Sequence, residues 1–197
     1  MIFIFGQRVG FRAYVVQQIA QNESAQKRID QLEPEKRDAA IEQQAGLTKW
    51  ILYISFSVGV FFFAAIVAAF LMLGCTMAGV RTTFAQSLSI VAYAWIPGVI
   101  AALLGMLILF LKDPSTVDLN NLVASNIGAL LPDDSAKWLK VFCTAFDVFA
   151  FWKMFLMALG FSAVDPKKLS VGKAFGIVFA FYMLWTLAST GITAAFS

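Results

Sequence analysis

Three long stretches of this chain carry no charged residue, and they limit its fold more than any other feature. The stretches run from Trp50 to Val80, from Thr82 to Leu111 and from Ala174 to Ser197. An apolar run of roughly 18 or more residues without charge is long enough to cross a bilayer as a helix. Inside lipid the backbone must satisfy its own hydrogen bonds, so such runs fold as helices. The pattern therefore predicts several membrane-spanning helices.

Composition separates this prediction from its soluble alternative, an all-α domain with buried helices. Of the 197 residues, 60% are hydrophobic and 14% are charged, whereas soluble domains carry about 25% charged and about 45–50% apolar residues. The charge-free runs are also longer than ordinary core helices, which average about 10–14 residues. Both observations favour the membrane over the soluble core.

We predict an all-α fold, a polytopic transmembrane helical bundle with four spans. The spans are placed at about 51–75, 86–110, 139–163 and 174–195. Residues 50–197 then form the transmembrane domain, and residues 1–49 form a polar, helical region outside the membrane.

The polar region is predicted to be a helical hairpin, with Pro34 in the first turn of its second helix, a position that proline favours. Two interpretations stay open for it, a solvated hairpin without chemistry and a surface that binds a partner. The five apolar residues Met1–Phe5 are too few to cross a bilayer. They are predicted to be the end of a further apolar segment, with a short interfacial anchor as the alternative.

The residue constellations of common enzyme sites are absent from the sequence. The chain has no histidine, which excludes a Ser-His-Asp triad and any His-based zinc site. It also has no Walker-type phosphate loop and no GxGxxG fingerprint. We predict no catalytic, cofactor-binding or metal-binding residues, and no nucleic-acid partner.

Asp147 and Lys153 are the ionisable residues of the third predicted span. A charged side chain at mid-span is costly, so it usually faces the bundle interior or a water-filled cavity. In one continuous helix these residues lie about 240° apart, which disfavours a direct pair, and Lys153 can extend toward a headgroup region. Asp147 has three open interpretations: a structural contact to Tyr93 or to backbone freed by Pro97, an ion or proton site, and a headgroup or partner contact.

Proline is predicted to kink or break the second span. Pro97 lacks an N–H donor and its ring clashes with the preceding turn. Tyr93 and Trp95 lie just before it and join the candidate polar residues. Asn121 and Asn126 join them from the loop after this span, where the segment 120–131 is predicted to form a short interfacial helix that begins near Asp118 or Asn120 and ends at Pro132.

Four segments, in this order and spacing, resemble the Yip1-domain family of membrane proteins, and its short bacterial branch in particular. They are Ser89–Gly98, Lys112–Pro114, Asn121–Asn126 and Asp147–Trp152. The resemblance covers roughly residues 10–195. It implies an all-helical bundle of five spans, so this chain would lack a full first span.

In eukaryotes the family is linked to vesicle traffic and to Rab GTPase binding at Golgi and endoplasmic reticulum membranes. This sequence lacks the long cytosolic N-terminal region of those members, so Rab-type GTPase binding is not transferred to it. The family's role in bacteria is largely undefined. We predict a non-catalytic scaffold or membrane-organising protein whose partners are lipids, other membrane proteins or a second copy. The alternative is a small transporter or ion pathway that uses Asp147.

The expected location is the bacterial cytoplasmic membrane, and its two orientations stay open. The family pattern places the Arg81 loop and the Lys167–Lys168 loop inside and the 112–137 loop outside. Lysine and arginine counts, which set orientation in short loops, favour the opposite arrangement because the N-terminal region is rich in basic residues.

Overall fold

The computed structural model describes residues 6, 9–20, 22–113, 117–119, 121–132 and 134–195. These residues form α-helices, a π-helical turn, a short 3-10 helix and connecting turns, and none of them belongs to a β-strand. The predicted all-α fold is confirmed. Residues 1–5, which carry the prediction of an upstream segment, lie outside the described part of the chain.

The polar N-terminal region is helical, as predicted. Its helices are α1 (Phe11–Ala20), α2 (Glu23–Asp30) and α3 (Pro34–Ile54), and proline occupies the first position of α3. Helices α1 and α3 pack together through a small apolar cluster of Val15, Ile19, Ile41 and Ala45. On their exposed side the Arg12 guanidinium lies 2.6 Å from the Asp38 carboxylate, an exposed ion pair of the kind that contributes about 1 kcal/mol or less.

The apolar helices follow along the chain. Helix α3 continues through a π-helical turn, Ser55–Gly59, into α4 (Val60–Met77). The remaining helices are α5 (Phe84–Ala94), α6 (Ile96–Leu111), α7 (Lys137–Thr144), α8 (Val148–Val164) and α9 (Val171–Ala195). Within the described part of the chain, three segments are long and apolar enough to cross a membrane: Val60–Met77, Phe84–Leu111 and Val171–Ala195, while α8 is apolar but shorter.

Contacts divide the chain into two units. One comprises Met1–Phe61 and Gly105–Leu122, and the other comprises Phe62–Leu104 and Val123–Ser197. The second unit holds the larger apolar core, in which Ala68, Ala158 and Phe161 are fully buried. Small residues let its helices approach closely, since a Cβ added at Gly160 would collide with Ile90 and one added at Gly74 would collide with Ile177.

The third predicted span, 139–163, is the element in which the structure differs from the prediction. Residues 137–164 form two helices, α7 and α8, separated by the non-helical residues Ala145–Asp147. Asp147 has φ −108° and ψ 138°, an extended conformation. The angular argument that placed Asp147 and Lys153 on opposite faces assumed one continuous helix, so it does not apply here.

The loop before α7 also differs from the prediction. Its helix is a single 3-10 turn, Ile127–Leu130, and Asn126 caps it by accepting a hydrogen bond from the Ala129 N–H at 3.1 Å. The expected start near Asp118 is therefore wrong, and Asn120 lies outside the described residues. The predicted end is close, since Leu131 follows the turn directly and Pro132 comes next.

Candidate functional site

The candidate site is the break between α7 and α8, and it is built around Asp147. Asp147 is the N-cap of α8, and its Oδ1 accepts a hydrogen bond from the Ala150 N–H at 3.0 Å. The first N–H groups of any helix lack partners within the helix, and a carboxylate satisfies one of them while complementing the positive end of the helix dipole. One carboxylate oxygen of Asp147 therefore caps the N-terminus of α8.

The other carboxylate oxygen is held by the loop upstream. The Ser125 hydroxyl donates a hydrogen bond to Asp147 Oδ2. Two backbone bonds run beside it, from the Val148 N–H to the Ser125 carbonyl at 3.1 Å and from the Ile127 N–H to the Phe146 carbonyl at 3.3 Å. Backbone groups left open by the break are thus paired, as a membrane interior requires.

Helix α9 supplies the third element of the site. The Tyr182 hydroxyl donates to the Ala145 carbonyl at 2.7 Å, and the buried Thr186 lies one turn further along α9. Tyr182 lies about 16 Å along the helix from Val171, at a rise of 1.5 Å per residue. The break is therefore bound to the middle of a helix long enough to cross the bilayer.

The segment that carries Ser125 is held in an unusual backbone conformation. Ala124 has φ 51°, in the left-handed region that disfavours residues with a Cβ. Just beyond it, Gly128 lies so close to Thr144 that a Cβ could not fit between them. This strain persists because contacts on both sides fix the segment against the break.

Lys153 lies one and a half turns into α8 and links this break to the second span. Its side chain is half-buried, and its Cδ lies 3.9 Å from the Cβ position of Gly98, the residue after Pro97. Among the described residues no ion pair within 4.0 Å includes Lys153.

A second helix break occurs at Trp95, between α5 and α6, where proline was predicted to cause one. The Trp95 N–H is shared between the Ala92 and Tyr93 carbonyls, and the latter is the carbonyl that residue 97 would have bonded in an unbroken helix. Pro97 is fully buried, and Trp95 stacks on Phe63 with ring centroids 6.0 Å apart.

The structure brings together some of the predicted site residues and leaves others apart. Asn126 faces Asp147 across an isolated antiparallel bridge. Tyr93 is 74% exposed, so the contact expected between it and Asp147 is replaced by Ser125 and the Ala150 N–H. Asn121 belongs to a separate turn, in which its N–H donates to the Asp118 carbonyl at 3.1 Å.

Sequence reasoning missed Ser125, Tyr182 and Thr186 as parts of the site. Ser125 lay inside a segment already singled out, Asn121–Asn126. Tyr182 and Thr186 carried a weak signal, since they are polar side chains four residues apart on one face of an apolar helix. Within the described ranges no group of three His, Cys, Asp or Glu side chains is placed to hold a metal.

A family model for the Yip1 domain matches residues 3–192. This chain belongs to the Yip1-domain family. Searches of curated proteins and of solved structures gave no match. Family membership and the apolar helices agree with each other, and this Yip1-domain protein is a multi-pass integral membrane protein.

Proposed function

We propose that this Yip1-domain protein is a non-catalytic membrane scaffold or membrane-organising protein that binds lipids, other membrane proteins or a second copy of itself. The observation that carries the proposal is that Asp147 has a structural role in the fold. Oδ1 accepts from Ala150 and Oδ2 accepts from Ser125, so both oxygens of the intramembrane carboxylate hold the fold together. A transported ion would have to displace these bonds.

The helix surfaces support the same role. Large apolar side chains remain exposed along the spans, among them Phe62 at 69% and Trp185 at 57%. Such surfaces are suited to lipid chains and to helices of other membrane proteins. We assign the chain to the bacterial cytoplasmic membrane, without a nucleic-acid partner and without Rab-type GTPase binding.

A small transporter or ion pathway is the second candidate, and one observation favours it. Transport sites combine several polar groups at broken helices near the bilayer midplane. Here the Tyr182 hydroxyl reaches the broken segment beside Asp147, and Lys153 follows within the next two turns of α8.

Reconstitution into proteoliposomes separates the two functions. If the protein is a scaffold, the unaltered protein should carry no flux of protons, sodium or chloride. The Asp147→Ala variant should then be less stable and should form fewer chemical crosslinks to neighbouring proteins. The transporter predicts a flux that Asp147→Asn abolishes while the protein stays folded. A flux with that behaviour would overturn the scaffold, and Asp134→Asn, in an exposed loop position, is the matched control.

A further inference from the structure

Two loops that connect apolar helices meet at one end of the larger unit and line a cavity that is open on one side. The first loop follows α4 and the second joins α8 to α9. The cavity has a volume of about 500 Å³ and is lined by Gly79, Val80, Arg81, Val164, Asp165 and Lys168. Both loops are anchored, because Val80 and Leu169 are fully buried and the Ser162 hydroxyl donates to the Leu169 carbonyl at 2.8 Å.

The cavity carries a positive charge that the protein itself leaves uncompensated. Asp165 is offset by Lys168, whose Nζ lies 3.3 Å from its carboxylate. Arg81 is exposed, and no ion pair within 4.0 Å joins it to any described acidic residue. Lys167 and Lys173 are exposed close by in sequence. A guanidinium in this position is a fork of donors suited to a phosphate group.

An apolar groove begins where the cavity ends. It has a volume of about 440 Å³, runs between α5 and α8, and shares Val164 with the cavity. Small and apolar side chains such as Ala85, Ile90, Gly160 and Ala163 form most of its lining. Helix α5 begins an apolar segment long enough to cross a membrane and α8 is a shorter apolar helix, so the groove is suited to hydrocarbon. The cavity lies at the helix ends, where headgroups are expected.

We propose that the cavity and the groove together bind one anionic phospholipid. The phosphate lies at Arg81 with Lys168 beside it, and an acyl chain lies along the groove past Ala163 and Gly160. Basic pockets between membrane helices hold anionic headgroups in this way. A free phosphate ion shares the headgroup chemistry but leaves the groove unfilled, so the groove is what points to a lipid.

This inference deepens the proposed function, because it names a lipid class and a site, and it rests on that function only for the expectation of lipid binding. The two fail separately. A flux through Asp147 would overturn the scaffold without affecting this cavity, and a failed lipid titration would leave scaffolding through protein partners intact.

The test is a titration of the purified full chain in mild detergent, with bound ligand counted by native mass spectrometry. The probes are dioctanoyl phosphatidylglycerol, dioctanoyl phosphatidylcholine and inorganic phosphate. We expect phosphatidylglycerol to bind at least tenfold more tightly than phosphatidylcholine or phosphate. Arg81→Gln should weaken that binding about tenfold, as expected for the loss of a charge-assisted hydrogen bond. Arg28→Gln, an equal charge change on exposed α2, should change it less than twofold.

Equal binding of the two lipids, or unchanged binding by Arg81→Gln, would overturn the proposal. Phosphate that binds as tightly as phosphatidylglycerol would assign the cavity to a free anion instead. A second variant tests the groove without altering charge. Ala163→Phe fills the groove and should weaken phosphatidylglycerol binding several-fold. Ala180→Phe, at an exposed position of α9, is the control and should leave binding unchanged. Equal effects of the two variants would exclude the groove as the acyl-chain site.

Discussion

The two helix breaks of this protein are maintained in different ways. At Trp95 the causes are local, because Pro97 removes a donor and the Trp95 N–H bonds to carbonyls two and three residues before it. The break at Asp147 is held by side chains that are distant in sequence. Ser125, 22 residues before Asp147, bonds its carboxylate, and Tyr182, 37 residues after Ala145, bonds the Ala145 carbonyl. The first break is therefore maintained by residues of its own helical segment, and the second is maintained by tertiary contacts.

This difference predicts that the two breaks respond differently to substitution. Changes at the Asp147 break should affect the free energy of unfolding and the order of the 123–131 loop together. Changes at the Trp95 break should remain local. Stability can be measured for each variant by SDS titration in mixed micelles.

The largest expected effect is that of Asp147→Ala. It removes the cap of α8 and leaves the Ser125 hydroxyl without its acceptor, so it should lower the free energy of unfolding by about 3 kcal/mol. Asp147→Asn keeps an acceptor for the Ala150 N–H and should cost about a third as much, since asparagine caps helices as well as aspartate. Equal losses for the two variants would contradict the capping role.

Tyr182→Phe should lower the free energy of unfolding by about 1 kcal/mol, because the Ala145 carbonyl loses one of its two donors and keeps only the Asp147 N–H. Tyr93→Phe is the matched control at the other break. Its side chain is 74% exposed, so it should change stability by less than about 0.5 kcal/mol. A Tyr93 effect as large as that of Tyr182 would remove the distinction between the breaks.

A span or a helix break can be predicted from the sequence when the residues that cause it lie within the segment itself. The charge-free runs located three long spans, and Pro97 located a break, because each signal is contained in the segment it affects. Asp147 was identified as costly in a membrane, but its conformation depends on partners from distant segments. Helical periodicity assumes a continuous helix and cannot reveal where tertiary bonds interrupt one.

Pro97→Ala should cost about 0.5–1 kcal/mol. The ring loses packing contacts, while residue 97 regains an N–H that can reach the Tyr93 carbonyl. Amide hydrogen exchange should change within α5 and α6 and stay unaltered at residues 123–131. Faster exchange in that loop would show that the Trp95 break is not local.

The smallest expected effect is a gain. Ala124→Gly relieves the left-handed backbone at φ 51° and should raise stability by about 0.5 kcal/mol, because glycine adopts that conformation without strain. The gain is small because glycine loses more backbone entropy on folding than alanine does. Ala129→Gly, in the neighbouring 3-10 turn, serves as the control and should be neutral or destabilising. A loss of stability from Ala124→Gly would argue against strain at this position.

The most direct test of the account is a double-mutant cycle between Ser125→Ala and Asp147→Ala, with unfolding free energies measured in mixed micelles. If the hydroxyl and the carboxylate hold the break together, the double variant should lose about 1 kcal/mol less than the two single losses added. Losses that add to within about 0.3 kcal/mol would show that the two side chains act independently, and would contradict the claim that Asp147 maintains the break through the upstream loop.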